Sequence, residues 1–340
     1  MKKQLQIWNL VNKSLQQNIP VMLLYVLQSD GSSPGRQGFF MAVNGVNEVE
    51  GFIGGGIMEH KFIEMSKERL KQQEYDRSVH VQYHDKSAAK NQSGMICSGE
   101  QTILIYRVRQ NDRIYIQHII ACLEQYNNGM LQFSPEGLHF SADTVPDNNY
   151  FFSWQSDEKW LYVEKAGFKN NLFIIGGGHC ALALSRIMYG MDFYIHLLDD
   201  RSELYTLEQN EYVHKKTILD EYSKLTDLIP SGDHQYVVIM TMGYRSDDLA
   251  VRTLLDKKFN YFGMLGSKTK MEKMFADFRA SGISEEQLLN IHSPIGIQIK
   301  SETPEEIAVS IAAQIIQVKN QNLKSKPSPL KVSDSNTEEY

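Results

Sequence analysis

"LFIIGGGHCALALS", residues 172–185, decides the reading of the fold: an apolar run of strand length enters three glycines and leaves as a helix-like pattern. Gly176, Gly178 and Ala181 satisfy the spacing GxGxxA. In that pattern the first glycine permits a tight turn, the second lets a phosphate approach the backbone, and the small third residue lets helix meet strand. Asp199 closes the next apolar run, 23 residues after Gly176, where an acidic side chain would reach a ribose hydroxyl. Strand, glycines, helix, strand and acid in that order predict a nucleotide-binding frame. The glycines alone leave open a doubly wound domain with nothing bound there.

Working outward, the second half alternates strands over 172–176, 193–199, 235–241 and 259–265 with helices over 179–190, 247–257 and 268–281. Alternation of this kind predicts a parallel sheet covered on both faces. Thr303-Pro304-Glu305-Glu306 reads as a capping box with proline at the first helical position, and Ile307, Ile311 and Ile315 follow on one face. The polar end, from Asn320 on, reads as a disordered tail.

The first half is built differently. Leu5, Trp8, Val11 and Leu15 predict an amphipathic helix over 4–17 that Pro20 closes, and Val21–Leu27 a strand. SDGSSPGRQG, residues 29–38, is a loop by its Gly, Ser and Pro content. Phe39–Val43 and Glu48–Ile53 predict a hairpin about Asn44-Gly45. Gly54-Gly55-Gly56 then leads into a helix whose face is read as Ile57, Phe62, Ile63 and Leu70. Over 108–165 the pattern weakens into turns around short strands. The expected class is α/β: a carboxyl-terminal Rossmann-like doubly wound sheet over 166–320, an amino-terminal α+β domain over 1–107, a variable connecting region over 108–165 and a tail over 321–340.

Composition narrows the function. Of 340 residues 22% are charged and 42% hydrophobic, with a net charge of −6, which suits a globular protein with room for two domains. Lysine and arginine are scattered, which argues against a nucleic-acid binder. The start has no apolar core for a secretory signal, and the longest apolar run, Ile19–Leu27, is far short of a membrane span. Cys97, Cys122 and Cys180 form no CxxC pair; this predicts a reducing, cytoplasmic setting and no zinc site.

No acid–base constellation shows itself. His60, His84, His179 and His292 each stand alone, and only His179 lies inside the phosphate turn. Two readings of the frame therefore differ in class: an NAD(P)-dependent oxidoreductase using the Gly176 turn and Asp199, or a protein that holds a phosphate-bearing ligand without transforming it. Cys97, between Gly94 and Gly99, is either a soft metal ligand with unhindered approach or an inert buried thiol. Arg36 is an anion partner or simply solvated. Asp247 is a site residue or a helix cap.

The run GSSPGRQGFFMAVNGVNEVEGFIGGGIME, residues 31–59, resembles the amino-terminal domain of the XdhC/CoxI family of xanthine dehydrogenase accessory factors, and GMICSGEQTILI its cysteine-glycine-glycine segment. IIGGGHCALAL, HLLDDR, YFGMLGSKTK and HSPIGIQIKSETPEEIAVSIAAQII look like the family's Rossmann domain. The resemblance implies a molybdenum-cofactor chaperone. Such a factor holds molybdopterin or its cytosine dinucleotide, protects it while a cysteine desulfurase supplies sulfide, and delivers it to a xanthine dehydrogenase-type apoenzyme. It further implies a homodimer, no catalytic residue of its own, and a cleft between domains.

On this reading Gly176, Gly178 and His179 hold the phosphate end, with Asp199, Ser267 and Lys268 nearby. Gly54, Gly55, Gly56 and Glu59 line the other wall, and Cys97 contacts molybdenum. The chain departs from the family at Ser98, where a second glycine is usual, and at Tyr244, where a histidine is usual. The chain also lacks a cysteine pattern for iron–sulfur clusters, so catalysis falls to the partner.

Overall fold

The computed structural model describes residues 2–72, 76–83 and 99–324. These divide into two compact units that meet in sequence at Gly167 and Phe168.

The first unit opens with helix α1 (Lys2–Gln16), strands β1 (Val21–Gly31), β2 (Phe40–Asn44) and β3 (Val49–Gly51), helix α2 (Gly56–Leu70), and strands β4 (Arg77–Tyr83) and β5 (Gly99–Arg107). The five strands form an antiparallel sheet in the order β3-β2-β1-β5-β4. Every residue from Val21 to Leu27 is buried, because both faces of this central strand are covered. Met22, Leu24 and Val26 pack with Met58 and Phe62 of α2, while Tyr25 faces Phe40, Phe133 and Tyr162 on the other side. The buried row of α2 is Met58, Phe62, Ser66 and Leu70. Ile57, read from sequence as part of that face, is 70% exposed. The helix begins only at Gly56, and its contact row follows four-residue spacing from Met58.

The weakly patterned stretch after residue 108 forms helix α3 (Arg113–Glu124) and strands β6 (Gly129–Ser134), β7 (Gly137–Ser141), β8 (Tyr150–Ser156) and β9 (Lys159–Ala166). Its antiparallel sheet runs β7-β6-β9-β8. The two sheets share a polar contact: Glu164 of β9 is buried and accepts hydrogen bonds from Tyr25 (2.5 Å) and Tyr162 (2.7 Å). Burial and this carboxylate raise both phenols well above their ordinary range, so they remain donors. Short strands and turn residues hide such a sheet from a periodicity argument.

The second unit comprises β10 (Asn170–Ile175), α4 (His179–Met188), β11 (Phe193–Asp199), α5 (Tyr205–Glu208), β12 (Lys215–Ile218), α6 (Leu225–Leu228), β13 (Gly232–Ile239), α7 (Tyr244–Leu254), β14 (Phe259–Met264), α8 (Lys268–Ala280), α9 (Glu285–Leu289) and α10 (Pro304–Lys324). Its sheet is wholly parallel, ordered β12-β11-β10-β13-β14. Leu172 and Ile174 face one core with Leu184, Ile311 and Ile315. Phe173 and Ile175 face the other with Val251, Met274 and Phe278. Burial on both sides explains the unbroken apolar run.

The capping box is formed: Glu306 N donates to Thr303 Oγ1 (3.3 Å) and Thr303 N to Glu306 Oε2 (3.2 Å). The polar residues 320–324, read as tail, continue α10; the remainder of that segment lies outside the described residues. Among the described residues no helix is long and apolar enough to cross a membrane.

Burial in this unit lowers His196 and His214 to about 4. Both folded values lie below the unfolded one, so the unfolded chain binds more protons between pH 6.5 and 4, and stability is lost as pH falls through that window. The limiting slope is ~1.4 kcal/mol per pH unit per histidine. Thermal melting across this range should show the decline, and His196→Gln should make it shallower.

Candidate functional site

The turn after β10 lies at the strand-order reversal of the parallel sheet, where chains leave to opposite sides and where open sheets of this kind bind their ligands. Gly176 has φ +108°, and a Cβ there would sit 2.3 Å from Met240 O, so close approach to the end of β13 requires glycine. Gly177 is clasped on both sides. Its N–H donates to Asp199 Oδ2 (2.6 Å), and its carbonyl accepts from Thr206 Oγ1 (2.6 Å). Gly178 precedes α4 without a side-chain cap, and a Cβ there would meet nothing within 4 Å. His179, exposed at the first helical position, shares a 2.9 Å hydrogen bond with the Tyr205 hydroxyl. Ala181 is buried in the core, as a helix laid close on a strand requires.

Asp199 has 0% exposure and faces this turn. Oδ2 accepts from Gly177 N and from Arg201 Nη2 (2.7 Å); Oδ1 accepts from Arg201 N and Nε, both at 2.8 Å. Burial alone would raise its pKa, but the hydrogen bonds from Arg201 and Gly177 outweigh it and hold the carboxyl below its ordinary range. The side chain expected to meet a ribose is thus engaged by its own loop. Arg201 Nη1 lies 3.4 Å from Met242 Sδ.

The loop after β13 supplies a second helix start of the same kind. Gly243 precedes α7 without a side-chain cap and with open space at its Cβ position, and Met242 beside it is 83% exposed. Asp247 is fully buried. It accepts from Thr241 N (3.2 Å) and Thr241 Oγ1 (2.5 Å), and its other oxygen pairs with Lys270 Nζ. Tyr244, at the family's histidine position, donates to Asp277 Oδ2 (2.5 Å).

Ser267 caps α8 through its hydroxyl, which accepts from Lys270 N (3.3 Å). Lys268 is 85% exposed and lies 3.9 Å from Glu272. The structure draws Lys270 inward instead, a residue that sequence reasoning passed over. Its only advance signal was its place two residues further along GSKTK.

In the first unit Gly54, Gly55 and Gly56 have φ of +140°, +76° and +67°, a run of left-handed positions only glycine sustains. Glu59 Oε2 accepts from Ile53 N (2.8 Å) and Gly55 N (3.0 Å), so it holds the turn from within. The SSPGRQG loop lies against it: a Cβ on Gly35 would stand 2.0 Å from Ile53 O. Exposed Arg36 donates to Gly31 O (3.0 Å). Cys97, with Gly94, Ser98 and His84, lies outside the described residues. Among the described residues no three metal-ligating side chains converge.

Residues 14–83 match the profile of the XdhC and CoxI family, and residues 172–315 that of the XdhC Rossmann domain. The chain belongs to this family. An uncharacterized protein of Escherichia coli (strain K12), YqeB, is 24% identical over 307 residues; the match spans 90% of this chain and 44% of that protein. A Bacillus subtilis (strain 168) protein, named as one of the probable subunits of xanthine dehydrogenase, is 21% identical over 330 residues, 90% of this chain and 95% of its own length. A crystal structure described as a xanthine dehydrogenase from Bacillus halodurans shares the fold, with a TM-score of 0.66, 20% identity, and coverage of 94% of this chain and 98% of that one.

Substitutions separate the roles of the glycines. Gly176→Ala forces a strained φ and a backbone clash, and should destabilise by about 2–4 kcal/mol. Gly178→Ala has an ordinary φ and open space, and should cost no more than ~1 kcal/mol. Denaturant unfolding of both variants checks the contrast. By the same measurement Glu59→Ala, which strands two loop N–H groups, should cost about 1–3 kcal/mol.

Proposed function

We propose that this chain is an accessory factor that binds the molybdenum cofactor, shelters it during sulfuration and delivers it to a xanthine dehydrogenase-type apoenzyme. Family membership supports the reading, as does the name carried by the Bacillus subtilis relative. The observation that carries it is local: the helices that follow the neighbouring strands β10 and β13 at the strand-order reversal, α4 and α7, one on each face of the sheet, begin at glycines with no side-chain cap and open space at the Cβ position. Helix starts of this kind present free N–H groups and about half a positive charge to an anion. The helices α8, α9 and α10, by contrast, begin at Ser267, Ser284 and Thr303, whose hydroxyls accept from the first turn.

The donor set suits the terminal phosphate of molybdopterin or the internal pyrophosphate of its cytosine dinucleotide. Gly178 and His179 would hold that group, with the exposed Tyr205 hydroxyl beside it. When bound, the cofactor supplies the redox centre used by the recipient enzyme. This chain's residues bind it, orient it by its phosphate and keep it from solvent. Glu59 keeps the Gly54–Gly56 turn in shape, and Cys97 is the thiolate proposed to contact molybdenum, a soft ligand suited to a transition metal. A cysteine desulfurase and a second copy of the chain complete the proposed partners.

Two measurements test the reading. Oxidative extraction of freshly purified protein should release a fluorescent pterin in near-stoichiometric amount. Cys97→Ala should lower retained molybdenum while leaving the melting temperature unchanged; equal metal content in that variant removes Cys97 from the site.

A further inference from the structure

A nucleotide-binding frame of this topology engages a dinucleotide through an acidic residue at the end of its second strand, which accepts the ribose hydroxyls. Asp199 stands at that point, yet its acceptor capacity is filled. A carboxylate offers about four lone-pair sites, and here they receive Gly177 N, Arg201 N, Arg201 Nε and Arg201 Nη2. A ribose could bind only by displacing the part-exposed Arg201 from its charge-assisted contact with a fully buried carboxylate.

The same arginine has a second, weaker attachment. Strand order places β10 between β11 and β13, and Arg201 runs from the end of β11 to Met242 in the loop after β13. Its guanidinium therefore spans the mouth of the glycine turn. Nη1 ends on a thioether sulfur at 3.4 Å, a weak acceptor that a phosphate oxygen would outcompete.

We propose that Arg201 sets the ligand class of the Gly176–Gly178 turn: by saturating Asp199 it denies ribose hydroxyls their acceptor, and its Nη1 donates to a phosphate oxygen in place of the Met242 sulfur. The proposal rests on the phosphate reading above and narrows it. The turn takes a phosphate-terminated ligand and rejects nicotinamide dinucleotides, so the frame does not serve hydride transfer. NADP fares no better, because the one Nη1 donor cannot hold a phosphate at the glycine turn and also receive the 2′-phosphate at the far end of the same ligand.

Calorimetric titration of the full chain with sodium pyrophosphate, NAD+ and NADP+ tests this, with Arg201→Ala and Arg201→Gln as variants and circular dichroism as the check on folding. Pyrophosphate should bind the parent protein and weaken at least tenfold in both variants. NAD+ should bind the parent poorly and gain at least tenfold in Arg201→Ala, where Asp199 is released. Should Arg201→Ala not fold, Arg201→Gln, which can still donate to Asp199, carries the pyrophosphate comparison.

Folded variants that bind pyrophosphate within twofold of the parent overturn the role of Arg201 and leave the phosphate reading standing. Equal NAD+ affinity in parent and Arg201→Ala overturns it too, as does tighter binding of NADP+ than of pyrophosphate by the parent. A parent protein that takes up no pyrophosphate overturns both proposals together.

Discussion

The hydrogen bond from Gly177 N–H to Asp199 ties the first strand-to-helix turn of the parallel sheet to the end of the neighbouring strand. Around it the rest of the turn is ordered. Gly176 must take a left-handed φ to let the chain pass Met240, and Thr206 then closes over the Gly177 carbonyl. A buried carboxylate is costly unless fully satisfied, and Arg201 supplies what the backbone does not. The charge is thus balanced in place by the protein's own donors.

The first unit solves the same problem with different residues. Its glycine turn carries three successive positive φ angles, and Glu59 reaches back from α2 to accept two of the loop's N–H groups. In each unit a carboxylate fixes the glycine turn by binding its backbone. The helix starts at Gly55, Gly178 and Gly243 are all left without a side-chain cap, and such ends are where an anion finds donors not already in use. Buried pairs such as Asp247 with Lys270 hold the surrounding loops in register. Breaking such a pair strands a charge in a site that cannot hydrate it.

Much of the second unit was legible from residue pattern. β10 and its glycines, the parallel alternation and the capped α10 follow from periodicity, and each is local. β12 escaped notice because it is a four-residue edge strand that opens with two lysines. The α2 face was misread at Ile57 because a three- and four-residue count does not locate the first helical turn. The sheet of β6–β9 stayed hidden since its strands are short and their partners distant in sequence. At the candidate site the glycines and Asp199 were visible as types at a spacing. That Asp199 is spent on Arg201, that Ser267 is a cap, and that Lys270 rather than Lys268 turns inward were not visible.

The amino-acid sequence by itself determined the strand–helix alternation about β10, the two-sided burial of that parallel sheet, and the glycine turns, because these depend on neighbours a few residues apart. Tertiary structure alone decided which polar groups remain free. A carboxylate two residues from an arginine can face ligand, solvent or its own chain, and that choice is made by strand order and by the loops that converge beyond the strand ends.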